Sequence, residues 1–364
     1  MPPDTRSVKP LPTLALAMGD PAGIGAELIA KVLVLPEVLA AADLVVIGDR
    51  RVLEAGAEIA GVPVDVDLRH DFSDLSPRGR PIFVDLGHLD PATVKRAVAA
   101  REGGAFALAN FRAALELAAA GRADAVVFAP FNKFAMRAAH PAYDDEIGYS
   151  AEVLGMAGPA SEFNILGGLW NARVTSHLPF ADVASRITRD AVLQAIRLTD
   201  RAMRDAGIAI PRIAVAGLNP HAGDGGNFGR EEIDAIGPAV EDARREGVNA
   251  LGPFPADTVF LRARNGALDA VVTMYHDQGQ IAMKLMGFER GVTLLGGFPF
   301  PISTPAHGTA YDIAGQGIAH TGATLAAIFL ATKFGAARRR APRVPQTAAA
   351  RSADNVNSGG VTPC

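Results

Sequence analysis

Leu11-Pro12-Thr13-Leu14-Ala15-Leu16-Ala17-Met18-Gly19-Asp20-Pro21-Ala22-Gly23-Ile24-Gly25 decides the fold class. An apolar run long enough for one buried strand closes on a glycine-rich turn, and residues 26–35 then have helical composition. The same rhythm repeats outward from this stretch. Strands are predicted at residues 44–48, 81–84, 125–129, 162–166, 174–175, 212–216 and 270–274, and helices at 52–60, 103–120, 190–206, 231–246 and 321–331. Short Val, Ile and Leu runs alternating with amphipathic Ala-rich segments imply an α/β protein. No internal repeat is visible. The irregular stretch 130–148 is the best candidate for a crossing between lobes.

The chain has 364 residues, 49% of them hydrophobic and 20% charged. That length is about twice a usual domain, which favours two lobes or one large α/β unit. No apolar run approaches the roughly 18–20 residues that cross a bilayer, and residues 1–10 show no apolar signal region, so no membrane contact and a cytoplasmic setting are expected. The single cysteine, Cys364, excludes a disulfide framework. Net charge is −4, and Arg338, Arg339, Arg340, Arg343 and Arg351 against Asp354 leave residues 1–335 still more acidic. A nucleic-acid-binding body is therefore disfavoured. Residues 336–364 read as a disordered basic tail.

Four histidines fall at strand-to-loop transitions. His177 follows Val174-Thr175-Ser176. His221 lies in Leu218-Asn219-Pro220-His221-Ala222-Gly223, His276 in Tyr275-His276-Asp277-Gln278-Gly279, and His307 in Pro305-Ala306-His307-Gly308-Thr309. In open α/β sheets ligands bind beyond the carboxyl ends of strands. Three such histidines would suit a divalent ion with positions left open for substrate; their spacing alone equally fits isolated loop histidines. Gly19, Gly23 and Gly25 match no dinucleotide or P-loop fingerprint, so the turn is either an anion cradle or a tight turn. Asn132 and Lys133 stand directly after a strand, at an expected cleft edge.

Taken together these motifs resemble the 4-hydroxythreonine-4-phosphate dehydrogenase family of pyridoxal phosphate biosynthesis. The resemblance runs from Met18-Gly19-Asp20-Pro21 through Pro255-Ala256-Asp257-Thr258 to Gly308-Thr309-Ala310 and on to about Leu330. It implies a two-lobed fold like isocitrate and isopropylmalate dehydrogenases, with a central cleft. Residues 1–130 with about 300–335 would form one lobe and 131–299 the other, which would carry the metal histidines. It also implies a homodimer with shared sites, NAD or NADP as cofactor, and one divalent metal (Zn, Co, Mg or Mn) on His177, His221 and His276, with His276 reaching in from the second subunit. His307, Gly308, Thr309, Ala310 and Asp312 resemble an adenosine-binding loop. Asp257, Asp277 and Lys284 become candidates for orienting a ligand or moving protons.

The departures from that pattern concern substrate. Tyr149-Ser150 stands where the family has a His-Thr pair, Thr293 replaces an asparagine and Ile302 replaces an arginine, while Lys284 is kept. Loss of a cation able to clamp phosphate through two hydrogen bonds argues for a non-phosphorylated hydroxy acid or dihydrodiol carboxylate, oxidised at a secondary alcohol and then decarboxylated. Tyr149, Ser150, Thr293, Ile302, Asn132, Lys133 and Lys284 are the expected substrate contacts. A true 4-phosphohydroxy-L-threonine dehydrogenase is the alternative. From other classes, a zinc hydrolase would use the same histidines on water, and a solute-binding protein would use the cleft alone.

Overall fold

The computed structural model describes residues 10–77 and 79–340. Its strands are β1 Thr13–Ala17, β2 Asp43–Gly48, β3 Asp67–Arg69, β4 Ile82–Asp85, β5 Ala125–Phe128, β6 Ser161–Leu166, β7 Leu169–Arg173, β8 Ile213–Ala216, β9 Ala250–Phe254, β10 Ala270–Thr273, β11 Val292–Gly296 and β12 Ile302–Pro305. Helices α1 Gly25–Leu33, α2 Pro36–Leu39, α3 Arg50–Ala60, α4 Arg101–Ala119, α5 Lys133–Ala139 and α6 Glu146–Leu154 belong to the first part of the chain. They are followed by α7 Phe180–Arg186, α8 Arg189–Asp205, α9 Gly237–Arg245, α10 Ala256–Arg264, α11 His276–Gly287 and α12 Gly322–Arg340. No helix among the described residues is long and apolar enough to cross a membrane.

All the strands join one mixed sheet in the order β3-β4-β2-β1-β5-β12-β11-β6-β7-β10-β8-β9. The first six run parallel; β11 is antiparallel to both β12 and β6, and β6 is antiparallel to β7. Strands β7, β10 and β8 are parallel to one another, so they point opposite to β1, β5 and β12. Loops that follow β1, β5 and β12 therefore leave one edge of the sheet, and loops that follow β7, β8 and β10 leave the other.

One face of the first half packs Ala15, Ala17, Val126, Phe128, Leu295 and Ile302 beneath α4, α5 and α6. On the same face of the second half, Ala214, Ala216 and Val271 lie beneath α10 and Met283 of α11. Between these helix layers the part of the strip β12-β11-β6 that carries Thr304, Thr293 and Glu162 is left uncovered. The opposite face of that strip is sealed, with Phe163, Ile165, Leu294 and Phe334 of α12 in one core.

The structure departs from the sequence reading at several points. Residues 130–148 are not an irregular crossing, because α5 and the start of α6 lie there. With Phe131, Met136, Tyr143 and Tyr149 in the core under α4, residues 131–154 pack with the first half of the sheet and not with the second lobe. Strand β7 occupies 169–173, ahead of the predicted 174–175. Residues 336–340 form the last turn of α12 and are not tail: Arg339 Nε donates to Asp124 Oδ1 (2.7 Å) and its Nη1 to the Leu11 carbonyl (2.7 Å). The rest of the expected tail, 341–364, lies outside the described residues.

Candidate active-site cleft

The uncovered strip is the floor of an open cleft of ≈ 570 Å³, lined among others by Phe131, Lys133, Glu146, Glu162, Thr293, Thr304, His307 and Gly308. Lys133 opens α5, where Asn132 spends its side-chain oxygen accepting from the Ala135 N–H (3.0 Å), a helix cap. Lys133 Nζ lies 3.5 Å from Glu146 Oε2. A second, smaller recess of ≈ 290 Å³ adjoins it, lined by Asn164, Gln280 and Lys284. The expected contacts Lys133, Thr293 and Lys284 thus line this region.

Four expected contacts, Asn132 at its helix cap and the three that follow, are not among the lining residues. The Tyr149 side chain is buried in the first-half core, its hydroxyl donating to the Leu108 carbonyl (3.2 Å) and its ring facing Phe111. Ser150 is fully buried and donates to the Glu146 carbonyl (2.7 Å). Ile302 is 0% exposed, between β5 and β11. At these positions the side chains that depart from the family pattern are packed in the core. Glu162 in the cleft and Asn164 in the adjoining recess, which the sequence reading passed over, add polar groups to the lining, with buried Arg173 behind Glu162.

At one end of the cleft the loop after β12 meets the loops after β1 and β5. Ile24 N donates to the Thr309 carbonyl (3.1 Å) and Asp20 N to the Pro130 carbonyl (3.0 Å). A Cβ on Gly23 would fall 2.7 Å from the Thr309 oxygen, so the glycine turn serves close packing of loops. Buried Asp20 accepts from the Ala22 N–H (2.9 Å) and from the Tyr311 hydroxyl. Burial raises the Asp20 pKa, and burial together with Asp20 raises that of Tyr311. This brace between the loops was also missed by sequence. Within the loop, Ala310 holds φ 45 and Asp312 is exposed. Gly308 has nothing within 4 Å of an added Cβ, which leaves open space beside His307.

Burial pushes the His307 pKa below its usual value. A histidine kept neutral in the fold but free to protonate once unfolded contributes stability that is complete above about pH 6.5 and is lost as pH falls from there toward the depressed folded value. His307→Asn should therefore flatten the decline of the urea midpoint between pH 7 and 5. An unchanged decline would show that His307 protonates freely in the folded protein.

The other three histidines lie at the opposite edge of the sheet. His177 and His276 have ring centroids 5.6 Å apart in one chain, and two imidazoles on one tetrahedral ion at about 2.1 Å would have centroids roughly 5 Å apart. The pair fits two ligand positions. It forms without a second subunit, whereas the resemblance implied that His276 comes from one. Asp277 Oδ1 sits 2.7 Å from His276 Nδ1, the contact that orients a ligating imidazole. His221 does not join them: no group of three His, Cys, Asp or Glu among the described residues could hold one ion. It occupies a left-handed turn with His221, Ala222 and Asp224 at φ 54, 53 and 44. Glu232, buried, anchors that turn by accepting from Leu218 N (2.7 Å) and Asn219 N (2.8 Å). Asp257 is exposed in the first turn of α10.

Residues 40–331 match the family model described as "Pyridoxal phosphate biosynthetic protein PdxA". The chain is 59% identical over 329 residues to "Putative 4-hydroxythreonine-4-phosphate dehydrogenase 2" of Rhizobium meliloti (strain 1021), covering 90% of this chain and 94% of that one. Among solved structures it resembles the 4-hydroxythreonine-4-phosphate dehydrogenase of Klebsiella pneumoniae, with TM-score 0.79 and 33% identity over 89% of this chain and 99% of that chain. It also resembles a terephthalate 1,2-cis-dihydrodiol dehydrogenase of Burkholderia xenovorans LB400, with TM-score 0.61 and 33% identity over 88% and 97% of the two chains.

Proposed function

From the premise that this chain belongs to the PdxA family of dehydrogenases, we propose that it oxidises the secondary alcohol of a non-phosphorylated hydroxy acid, with NAD or NADP as hydride acceptor and with loss of CO₂ after oxidation. The observation that carries the substrate reading is the charge lining the cleft. Two carboxylates, Glu146 and Glu162, line it with a single lysine, Lys133; Lys133 lies 3.5 Å from Glu146, and Glu162 is paired with Arg173 behind it. A phosphate dianion there meets two carboxylates and no lining cation without a carboxylate partner, whereas a single substrate carboxylate can be shared by Lys133. The phosphorylated alternative draws its support from the name of the Rhizobium meliloti relative.

The roles follow from position. The His307–Gly308 end receives the nucleotide, Lys133 binds the substrate carboxylate, Thr293 and Thr304 offer hydroxyls from the floor, and Lys284 serves the adjoining recess. A divalent ion held by His177 and His276, with His221 as third ligand, would supply Lewis acidity toward the alcohol oxygen. His177 and His276 fit that ion; His221 has to leave its present turn, or a second copy has to complete the set. We read the protein as a two-lobed homodimer of isocitrate dehydrogenase type. Phe180, whose ring meets Tyr275 beside His276, and Ile281 and Leu285 of α11, the helix that His276 opens, are 75%, 59% and 84% exposed, apolar surface that a second copy would cover. Two-fold pairing could then bring the histidine edge of one protomer to the nucleotide edge of its partner.

The test is growth of reduced-nicotinamide absorbance with a panel of hydroxy acids, with and without added divalent metal. Metal-dependent growth with a hydroxy acid is expected. No growth with any hydroxy acid, phosphorylated or not, would end the reading.

A further inference from the structure

Glu162 and Arg173 face each other across the antiparallel pair β6 and β7. Arg173 is nearly fully buried, its side chain 3% exposed, and each of its three nitrogens is engaged. Nε donates to Ser176 Oγ (3.1 Å), Nη1 to Asn164 Oδ1 (2.6 Å) and Nη2 to Glu162 Oε2. Asn164 is fixed in turn, because its Oδ1 also accepts from Gln280 Nε2 (2.6 Å) and its Nδ2 donates to Thr293 Oγ1 (3.3 Å). The result is a rigid polar ladder across β7, β6 and β11, tied to α11. Burying a guanidinium is costly unless it is paired, and here the pair holds one carboxylate at the cleft wall. The bond from Arg173 is to Oε2, and Oε1 is the second acceptor oxygen of this cleft-lining carboxylate. An ionised carboxylate has only acceptor capacity.

We propose that Glu162 is a specificity-determining residue that accepts a hydrogen bond from a hydroxyl or ammonium group on the substrate and repels an anionic group from the same place, with Arg173 as the positioning residue that aims it. The substrate is then an acid carrying a second donor group: its carboxylate goes to Lys133 and its donor to Glu162. This rests on the reading of the cleft as the hydroxy-acid site. Arg173 does not line the cleft and touches no ligand directly, so its effect runs through Glu162.

Calorimetric titration of the full-length protein with threonate (2,3,4-trihydroxybutanoate), its 2-deoxy and 4-deoxy analogues, 4-hydroxy-L-threonine and inorganic phosphate tests this. In the wild type, one deoxy analogue should bind about 10–100-fold more weakly than threonate, the range for a hydrogen bond to a charged group. That loss should shrink to a few-fold in Glu162→Gln. Phosphate should bind roughly tenfold more tightly to Glu162→Gln, since a like charge is gone. 4-Hydroxy-L-threonine shows whether an ammonium serves in place of the 2-hydroxyl. Arg173→Met should reproduce the loss of threonate affinity, and Arg173→Lys should recover part of it. Glu162→Asp, which keeps the charge but draws it back, covers the case in which Glu162→Gln does not fold. Equal affinity of wild-type protein for all four acids, or an unchanged preference in the Glu162 variants, overturns the proposal. Better turnover of a phosphorylated substrate by the wild type would sink the functional reading instead, since Glu162's part is judged on one ligand between wild type and variant.

Discussion

Ile302→Arg should unfold this protein or cost about 3–5 kcal/mol of stability, the range for an uncompensated buried charge. Sequence comparison invites this substitution as a way to restore a phosphate-binding cation. The structure gives another outcome. Ile302 pairs with Val126 on one side and Leu295 on the other, and its side chain joins the core with Phe128 and Phe300. No carboxylate pairs with it there, and a guanidinium could escape only by breaking the layer under α4. Urea unfolding at constant m-value measures the loss. A variant as stable as wild type, with improved turnover of a phosphorylated substrate, would place Ile302 in the cleft and refute the packing described here.

His276→Ala should lower bound metal and kcat/KM by more than about 100-fold, beyond what changing an outer-shell partner usually costs a metal site. His177→Ala should do the same, because each supplies one of the two rings that already converge. His177 is exposed and His276 half-buried in a loop-to-helix junction, so the fold should survive both changes. Metal content by atomic absorption and steady-state rates check this together. Full metal and turnover in either variant would remove the pair from the site.

The strands were legible where both faces are apolar. Residues 14–17, 44–47, 125–128, 213–216 and 270–272 are runs of Ala, Val, Leu, Ile and Phe, as buried parallel strands require. Strand β7, Leu-Trp-Asn-Ala-Arg, was misplaced because Asn171 and Arg173 read as solvent-facing when they are buried. Their partners, Val271, Asn164 and Glu162, are distant or on another strand, and pairing of that kind is invisible to a one-dimensional pattern. The same limit governs the site. His177 and His276 could be chosen from their loops, since each ends a strand of the same direction. The burial of Tyr149, Ser150 and Ile302 was not legible because a motif position carries no information on which way a side chain points. For Ile302, that depends on the pleat of β12 and on the α4 to α6 layer above it.

The direct test of the substrate reading is the ratio of kcat/KM for 4-hydroxy-L-threonine, threonate and a cyclic dihydrodiol carboxylate against that for 4-phosphohydroxy-L-threonine, measured by nicotinamide reduction with saturating metal. With Lys133 the one lysine lining the cleft and already beside Glu146, at least one non-phosphorylated acid should give the higher value. A higher kcat/KM for the phosphorylated substrate than for every non-phosphorylated acid would contradict the account.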